Sequence, residues 1–302
     1  MNRTEIFDRH RSLLFSIAYR MLGSVMEAED IVQESFLRWE RADGSEVRSP
    51  RAYLSAVATR LCMDHLRSAR MRREQYVGPW LPEPLPTGTE SDVAETAMLD
   101  ESLSIAFLVL LESLSPVERA VFLLREVFDY DYPEVSHIVG KSEANCRQIS
   151  HRAREAVAAR RPRFEASHGQ EENLTRRFIE ACAAGDMEGL LGVLSEDITL
   201  WSDGGGRVRA ALNPIQGSDR VSRFLFGILG KASPSIVIQQ TSINGRPGIV
   251  GYMDENPMSV VTLDIAEERI QGIHIVVNPE KLGAIPPLTE PGAKEQSRKD
   301  HA

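Results

Sequence analysis

Cysteine is scarce in this chain, with three in 302 residues. Cys62, Cys146 and Cys182 lie far apart in helix-like stretches, which excludes a disulfide-stapled scaffold, a CxxC redox pair and a zinc spacing. They are expected as small buried apolar residues. Long apolar runs are missing too: none approaches the roughly 20 residues that cross a bilayer. The opening MNRTEIFDRHR is charged where a signal peptide needs an apolar core, so a cytoplasmic protein is expected. The glycine run DGGGR at 203–207 is followed neither by a Lys-Ser/Thr pair nor by a helix start, which excludes a P-loop. No internal repeat is visible, and neither a cofactor nor a metal site is expected.

Positive charge is outweighed overall, giving a net charge of -9 and a pI near 5.4. It is concentrated rather than absent. Residues 60–73 hold five arginines against one aspartate, and residues 147–163 hold six arginines against one glutamate. Steering depends on where charge sits, so an acidic total does not exclude a nucleic-acid partner.

Apolar spacing predicts a helical domain over 1–75. EAEDIVQESFLRWE aligns Ile31, Ser35, Phe36 and Trp39 on one stripe, with Asp30, Gln33 and Glu34 sharing an exposed face. SPRAYLSAVATRLCMDHLRS aligns Leu54, Val57, Ala58, Leu61 and His65, and Ser49-Pro50 is its start signal. Over 76–97 the pattern stops. PWLPEPLP reads as an extended, semi-rigid spacer, in which Trp80 and Leu81 are apolar and expected to pack on a neighbouring domain rather than stand as lone surface residues.

A second helical domain is expected over 98–166. LSPVERAVFLLREV carries a capping box of Ser115 and Glu118 with Pro116 in the first turn. YPEVSHIV follows, ending at Gly140, and a third helix begins after Ser142. This is the plan of a helix-turn-helix. On the last helix Cys146, Ile149, Ala153 and Val157 form the apolar stripe, while Arg147, Ser150, His151 and Arg154 are expected to project away. Arginine, glutamine and asparagine on such a face suit base edges and phosphates. A merely solvated charged face is the plain alternative. The coincidence of cap, glycine turn and charge favours DNA.

AEDIVQESFLRW, PRAYLSAVATRLCMDHLRSARMRRE and LSPVERAVFLLREVFDYDYPEVSHIVGKSEANCRQISHRARE resemble the two domains of bacterial extracytoplasmic-function sigma factors, across about residues 5–165. The resemblance implies that Asp30, Gln33 and Glu34 dock on the clamp helices of the RNA polymerase beta-prime subunit, with the beta subunit as a further partner. It implies that Arg60, Arg67, Arg70, Arg72 and Arg73 meet the minus-ten element. Ser142, Glu143, Asn145, Arg147 and Gln148, with His151, Arg152 and Arg154, are implied to read the minus-thirty-five element.

Residues 171–288 read as an α+β domain: a helix over 173–194, strands in DITLWSD, SIVIQQTSI, GIVGYM, SVVTLDI and RIQGIHIVV, and an amphipathic helix in SDRVSRFLFGILG. A strongly curved sheet against helices is expected. WLPEPL, DGGG (Asp203, Gly204, Gly205, Gly206) and NPEKL (Asn278, Pro279, Glu280, Lys281, Leu282) resemble marks of the subgroup with a fused SnoaL-like domain, a cystatin or NTF2-like fold. Its usual last motif is Asn-Pro-Asp-Lys-Leu, from which Glu280 departs by a methylene. The resemblance implies that this domain regulates the sigma factor, with those motifs and Trp80 and Leu81 as interdomain elements. DGGG is equally readable as a bare hairpin turn. His274, taken to share a strand face with Ile270 and Val276, suits either a hydrogen-bonded core histidine or a general base near Asp203, Trp201 or Tyr252. An unidentified small ligand in this domain is left open. The tail 289–302 is expected to be disordered.

The leading reading is a sigma factor without chemistry of its own. A ligand-sensing helix-turn-helix regulator and a SnoaL-like enzyme fused to DNA-binding modules are the alternatives.

Overall fold

Side-chain caps mark where most helices of this chain begin. The computed structural model describes residues 2–42, 47, 49–73, 75–87, 103–159 and 166–288; of the side chains at 69–73 it describes nothing. Helix α1 (Arg3–Leu22) opens on an Asn2 capping box with Glu5 and stops at Gly23, whose φ of 70° is left-handed. Helix α2 (Val25–Arg41) opens on Ser24, and α3 (Pro50–Arg73) opens on proline. Leu14, Ile17 and Met21 of α1, Val32 and Trp39 of α2, and Leu54, Ala58 and Cys62 of α3 are buried as the three helices pack together. Arg3 closes the far end of α2, donating to the carbonyls of Trp39 at 3.0 Å and Glu40 at 2.6 Å.

Helix α4 (Ile105–Leu111) is followed by α5 (Pro116–Phe122), which opens on the expected Ser115 and Glu118 box and continues into a π-helical turn, Leu123–Val127. Asp131 and Glu134 box the start of α6 (Tyr132–Val139), Gly140 ends it with a φ of 67°, and Ser142 caps α7 (Glu143–Ala158). Residues 98–102, expected as helix, lie outside the described residues, as do 88–97, 160–165 and 289–302. Helix α3 packs on both α5 and α6. The two helical segments therefore belong to one compact unit, 1–83 with 87–165.

The linker joins that unit through Trp80 to Glu83. Leu81 is 1% exposed, and a Cβ added to Gly23 would meet the Trp80 ring at 2.7 Å. The Glu83 N–H donates to the Gly23 carbonyl at 2.8 Å, and the Tyr19 hydroxyl donates to the Glu83 carbonyl at 2.6 Å.

The second unit comprises 84–86 and 166–302. The Asn244 N–H donates to the Leu85 carbonyl at 2.7 Å, and the Leu85 N–H donates to the Asn244 side-chain oxygen at 2.9 Å. The single helix expected over 173–194 is two, α8 (His168–Ala184) and α9 (Met187–Val193), because Gly185 turns left-handed between them. Six strands, β1 (Leu194–Asp203), β2 (Ile215–Gln216), β3 (Val237–Ile243), β4 (Arg246–Met253), β5 (Asn256–Ala266) and β6 (Arg269–Val276), form one mixed sheet ordered β2-β1-β6-β5-β4-β3. Only β1 and β6 run parallel; register shifts interrupt three of its ladders. Helix α10 (Ser218–Leu229) joins α8 and α9 over one face, where Leu174, Phe178, Leu190, Val221 and Leu225 meet Leu200, Ile249, Leu263, Ile273 and Ile275.

Two further expectations fail here. No tight hairpin follows β1: its antiparallel partner is the short β2, with Thr199 opposite Gln216, although Gly205 and Gly206 do take positive φ. Ile270 does not share a face with His274. Asp264 pairs with Gly272 while Ile265 pairs with Ile270, so β6 offers two residues for one of β5. That bulge flips Ile270 into the helix-packed core.

Candidate polymerase and promoter surfaces

Along α2 the residues Met26, Asp30, Gln33 and Leu37 recur at four, three and four, which places them on one exposed side. Asp30 and Gln33 are exposed, and Glu34 pairs with Arg38 at 2.9 Å. Met26 and Leu37 flank them at 63% and 47% exposure, large apolar groups that suit an interface. Beside Gln33 opens a groove of about 410 Å³ lined by Phe7, Val32, Phe36 and Leu37, with Asp8 and the Arg11–Glu29 pair at its rim. Sequence reading missed the exposed Met26 and Leu37 because only the buried stripe was followed.

On α3, Arg67 pairs with Asp64 at 2.7 Å on the surface. The side chains of Arg70, Arg72 and Arg73 lie outside the described residues. Arg60 is bound within the unit: its guanidinium donates to the carbonyls of Ile138 at 2.9 Å and His137 at 2.7 Å. Around it the Ser55 and Tyr130 hydroxyls meet at 2.6 Å, and Arg51 lies 4.8 Å from the Tyr130 ring centroid. From the other side buried Arg119 donates to the Met21 carbonyl at 2.6 Å and to Leu111 at 2.7 and 3.0 Å, and pairs with Glu112.

Helix α7 buries Cys146, Ile149, Ala153 and Val157 as its spacing predicts. Ser150 departs from expectation. It is fully buried and its hydroxyl meets Glu126 at 3.3 Å, because it follows Cys146 by one turn and borders the apolar stripe. The exposed side carries Glu143, Asn145, Arg147, Gln148, His151, Arg152 and Arg154. Acidic neighbours hold several of them: Glu143 on Arg147 at 3.2 Å, Glu118 on Arg152 at 4.0 Å, Glu126 on Arg154 at 3.8 Å and Glu155 on His151 at 3.5 Å. Bonds from the Ser115 hydroxyl and N–H hold the Glu118 carboxyl below its ordinary range.

In the second unit the motifs at 203–206 and 278–282 meet at one end of the sheet. Lys281 reaches fully buried Asp203 at 2.8 Å. The other Asp203 oxygen accepts from the Gly205 N–H at 3.0 Å, and the Asp203 carbonyl accepts from the N–H groups of Val277 and Asn278. A Cβ on Gly205 would strike the Asn278 amide at 2.3 Å. Arg207 and Glu280 pair above at 2.7 Å.

His274 stacks on Trp201, centroids 4.9 Å apart. It lies directly across from Thr262, outside the core that the helices cover. Burial pushes its imidazole down to about 4, so the ring is neutral near pH 7. Asp264 two residues along is pushed up by burial, opposed by Arg246. Among the described residues no group of His, Cys, Asp and Glu could hold a metal ion, and no helix is long and apolar enough to cross a membrane.

A three-helix domain with an exposed acidic helix, packed on a helix-turn-helix and followed by a mixed-sheet domain, defines a class that comparison identifies. The Sigma-70 region 2 family matches residues 6–72, and the Sigma-70, region 4 family matches residues 104–157. The ECF RNA polymerase sigma factor SigJ of Mycobacterium tuberculosis is 35% identical over 98% of this chain and 97% of its own length. The probable ECF RNA polymerase sigma factor SigI of that species is 33% identical over 90% and 92%. The crystal structure of SigJ matches with a TM-score of 0.77 at 32% identity, covering 94% of this chain and all of the other. The chain belongs to the extracytoplasmic-function sigma factors. Its two sigma-70 regions are those by which such factors engage core RNA polymerase and promoter DNA. Its C-terminal domain is a mixed sheet backed by helices on one face.

Proposed function

We propose that the chain docks on the beta-prime clamp helices of polymerase through Asp30, Gln33 and Glu34, with Met26 and Leu37 widening that footprint. Residues of α7 read the upstream promoter element, and the basic end of α3 meets the minus-ten element. The protein works in the cytoplasm, contributes no chemistry of its own, and its C-terminal domain sets its activity. The observation that carries the reading is the pairing of an exposed acidic α2 face with an exposed arginine-rich face on α7 in one unit. Run-off transcription with purified core polymerase tests it. Replacing Asp30, Gln33 and Glu34 together by alanine is expected to abolish capture of core without lowering the thermal midpoint; unchanged capture removes the docking assignment.

The regulatory part assigns coupling to Trp80 and Leu81 and to the motifs at 203–206 and 278–282. A chain ending near Gln170 is compared with full length in promoter-specific transcription, and equal activity removes the regulatory role. A chain ending before Asn278 strips Lys281 from buried Asp203, so it tests the fold of the domain as well as its function. A chain ending after Leu288 retains that pair and serves as its control.

A further inference from the structure

We propose that Tyr132, which is not on the recognition helix, positions Arg147 and thereby sets base preference at one step of the upstream element. The proposal rests on the reading that α7 enters the major groove.

Tyr132 is the first residue of α6, where the Asp131 and Glu134 box fixes the backbone. Its ring centroid lies 4.5 Å from the Arg147 guanidinium carbon. Arg125 lies 5.2 Å from the same ring and is anchored by a 3.1 Å bond to the Tyr130 carbonyl. Glu143, one turn before Arg147 on α7, pairs with it at 3.2 Å. Arg147 thus has both an aromatic and a carboxylate partner, whereas Arg152 and Arg154 meet carboxylates at 4.0 and 3.8 Å.

These two partners differ in what happens when DNA arrives. A carboxylate among phosphates is repelled, while a neutral ring is not. A guanidinium packed on an aromatic face keeps its in-plane N–H donors, the fork that reaches guanine O6 and N7 together. Holding the arginine on the ring before binding also removes part of the rotamer freedom it would otherwise lose in the complex. Arg152 and Arg154, held more loosely by acids of α5 and of the π-helical turn after it, suit phosphates, which position the protein without reading sequence.

The test offers a promoter pool randomised over the upstream element to holoenzyme reconstituted from this chain and core polymerase. Bound DNA is sequenced, and thermal midpoints are measured for each variant. Tyr132→Leu is expected to lower preference at one base step by about two- to fivefold, leaving the other steps and the salt slope unchanged. Tyr132→Phe, which keeps a ring, is expected to stay near wild type. Arg147→Ala is expected to lose preference at that same step, and Tyr132→Leu is expected to add nothing to it. Lost preference in Arg147→Ala with full preference in Tyr132→Leu overturns the proposal and leaves the α7 reading standing. A uniform loss over all sequences in Tyr132→Leu also overturns it, marking a role in folding. Unchanged preference in both Arg147→Ala and Gln148→Ala overturns the α7 reading itself, and the proposal with it.

Discussion

Arg60 caps Ile138: its guanidinium donates to that carbonyl at 2.9 Å and to His137 at 2.7 Å, one turn before the chain reverses at Gly140. Arg119 does the converse, donating to the Met21 carbonyl at the end of α1. Each helical half of the N-terminal unit thus places a positive group on the negative end of a helix in the other half. Two nitrogens of the Arg60 guanidinium are committed to these carbonyls, while Nη1 of this exposed side chain makes neither bond.

Arg60→Ala is expected to weaken that seam by about 1–2 kcal/mol, a partly exposed charge-assisted bond. Arg119→Ala, deep in the unit, is expected to cost about 3 kcal/mol or more, since it strands three carbonyl bonds and Glu112. Hydrogen exchange should rise first at the last turn of α6 in the former and at the end of α1 in the latter. Equal protection in Arg60→Ala and wild type would show that the cap adds nothing to the seam.

Glu83 of the linker caps a helix far away in sequence. Its carboxylate accepts from the Ser24 hydroxyl and the Val25 N–H, both at 2.7 Å, and from the Met26 N–H at 3.3 Å. A carboxylate at the positive end of α2 is favourable for charge and for hydrogen bonding alike. Glu83→Ala is expected to cost about 1–2 kcal/mol and to speed amide exchange at Val25 and Met26. Capture of core polymerase should weaken as well, because α2 carries the proposed docking face. Normal capture combined with fast exchange at those amides would separate the cap from docking.

Glu83 shows where sequence reading reaches its limit. The caps at Ser115, Ser142 and Gly140 were legible because cap and helix lie within a few residues, and the stripe through Cys146 and Val157 was legible because helix period alone places it. Arg60 reads as a DNA-facing cation and Glu83 attracts no reading at all, because their partners are 78 and 58 residues away. Charge pattern carries no information about pairing at that range. The face of Ile270 was misassigned for a different reason: alternation holds only while a ladder keeps register, and the bulge beside Gly272 leaves no local signature beyond a glycine.

The Asp203 and Lys281 pair ties β1 to the segment after β6, 78 residues on. Removing one charge leaves the other buried and alone, so Lys281→Met is expected to destabilise the C-terminal domain by about 3–5 kcal/mol. Asp203→Asn with Lys281→Met together should recover much of that loss. Gly205→Ala is expected to be costly for a separate reason, since its φ of 58° and the Asn278 amide both reject a Cβ. Urea unfolding of the three variants checks these orders. A fully stable Lys281→Met would exclude a structural role for the pair and leave the motif to regulation alone.

His274 gives the C-terminal domain an acid sensitivity of its own. In the fold burial holds the imidazole pKa near 4, against 6.5 in the unfolded chain. Between those values the unfolded state binds a proton that the fold refuses, so stability falls as pH drops from 6.5 towards 4. Above 6.5 both states are neutral and the effect is nil. A gap of that size corresponds to about 3 kcal/mol over the window. Asp264 opposes it, because a carboxyl whose pKa is raised in the fold takes up its proton more readily there, and stability gains as pH falls. His274→Gln removes the first contribution and leaves the second, so its urea midpoint should fall less on acidification, or rise. Fluorine NMR of 5-fluorotryptophan at Trp201, which stacks on this ring at 4.9 Å, follows unfolding of this domain apart from the helical unit. Parallel pH profiles for wild type and His274→Gln would mean that the imidazole is protonated in the folded domain, contrary to its burial.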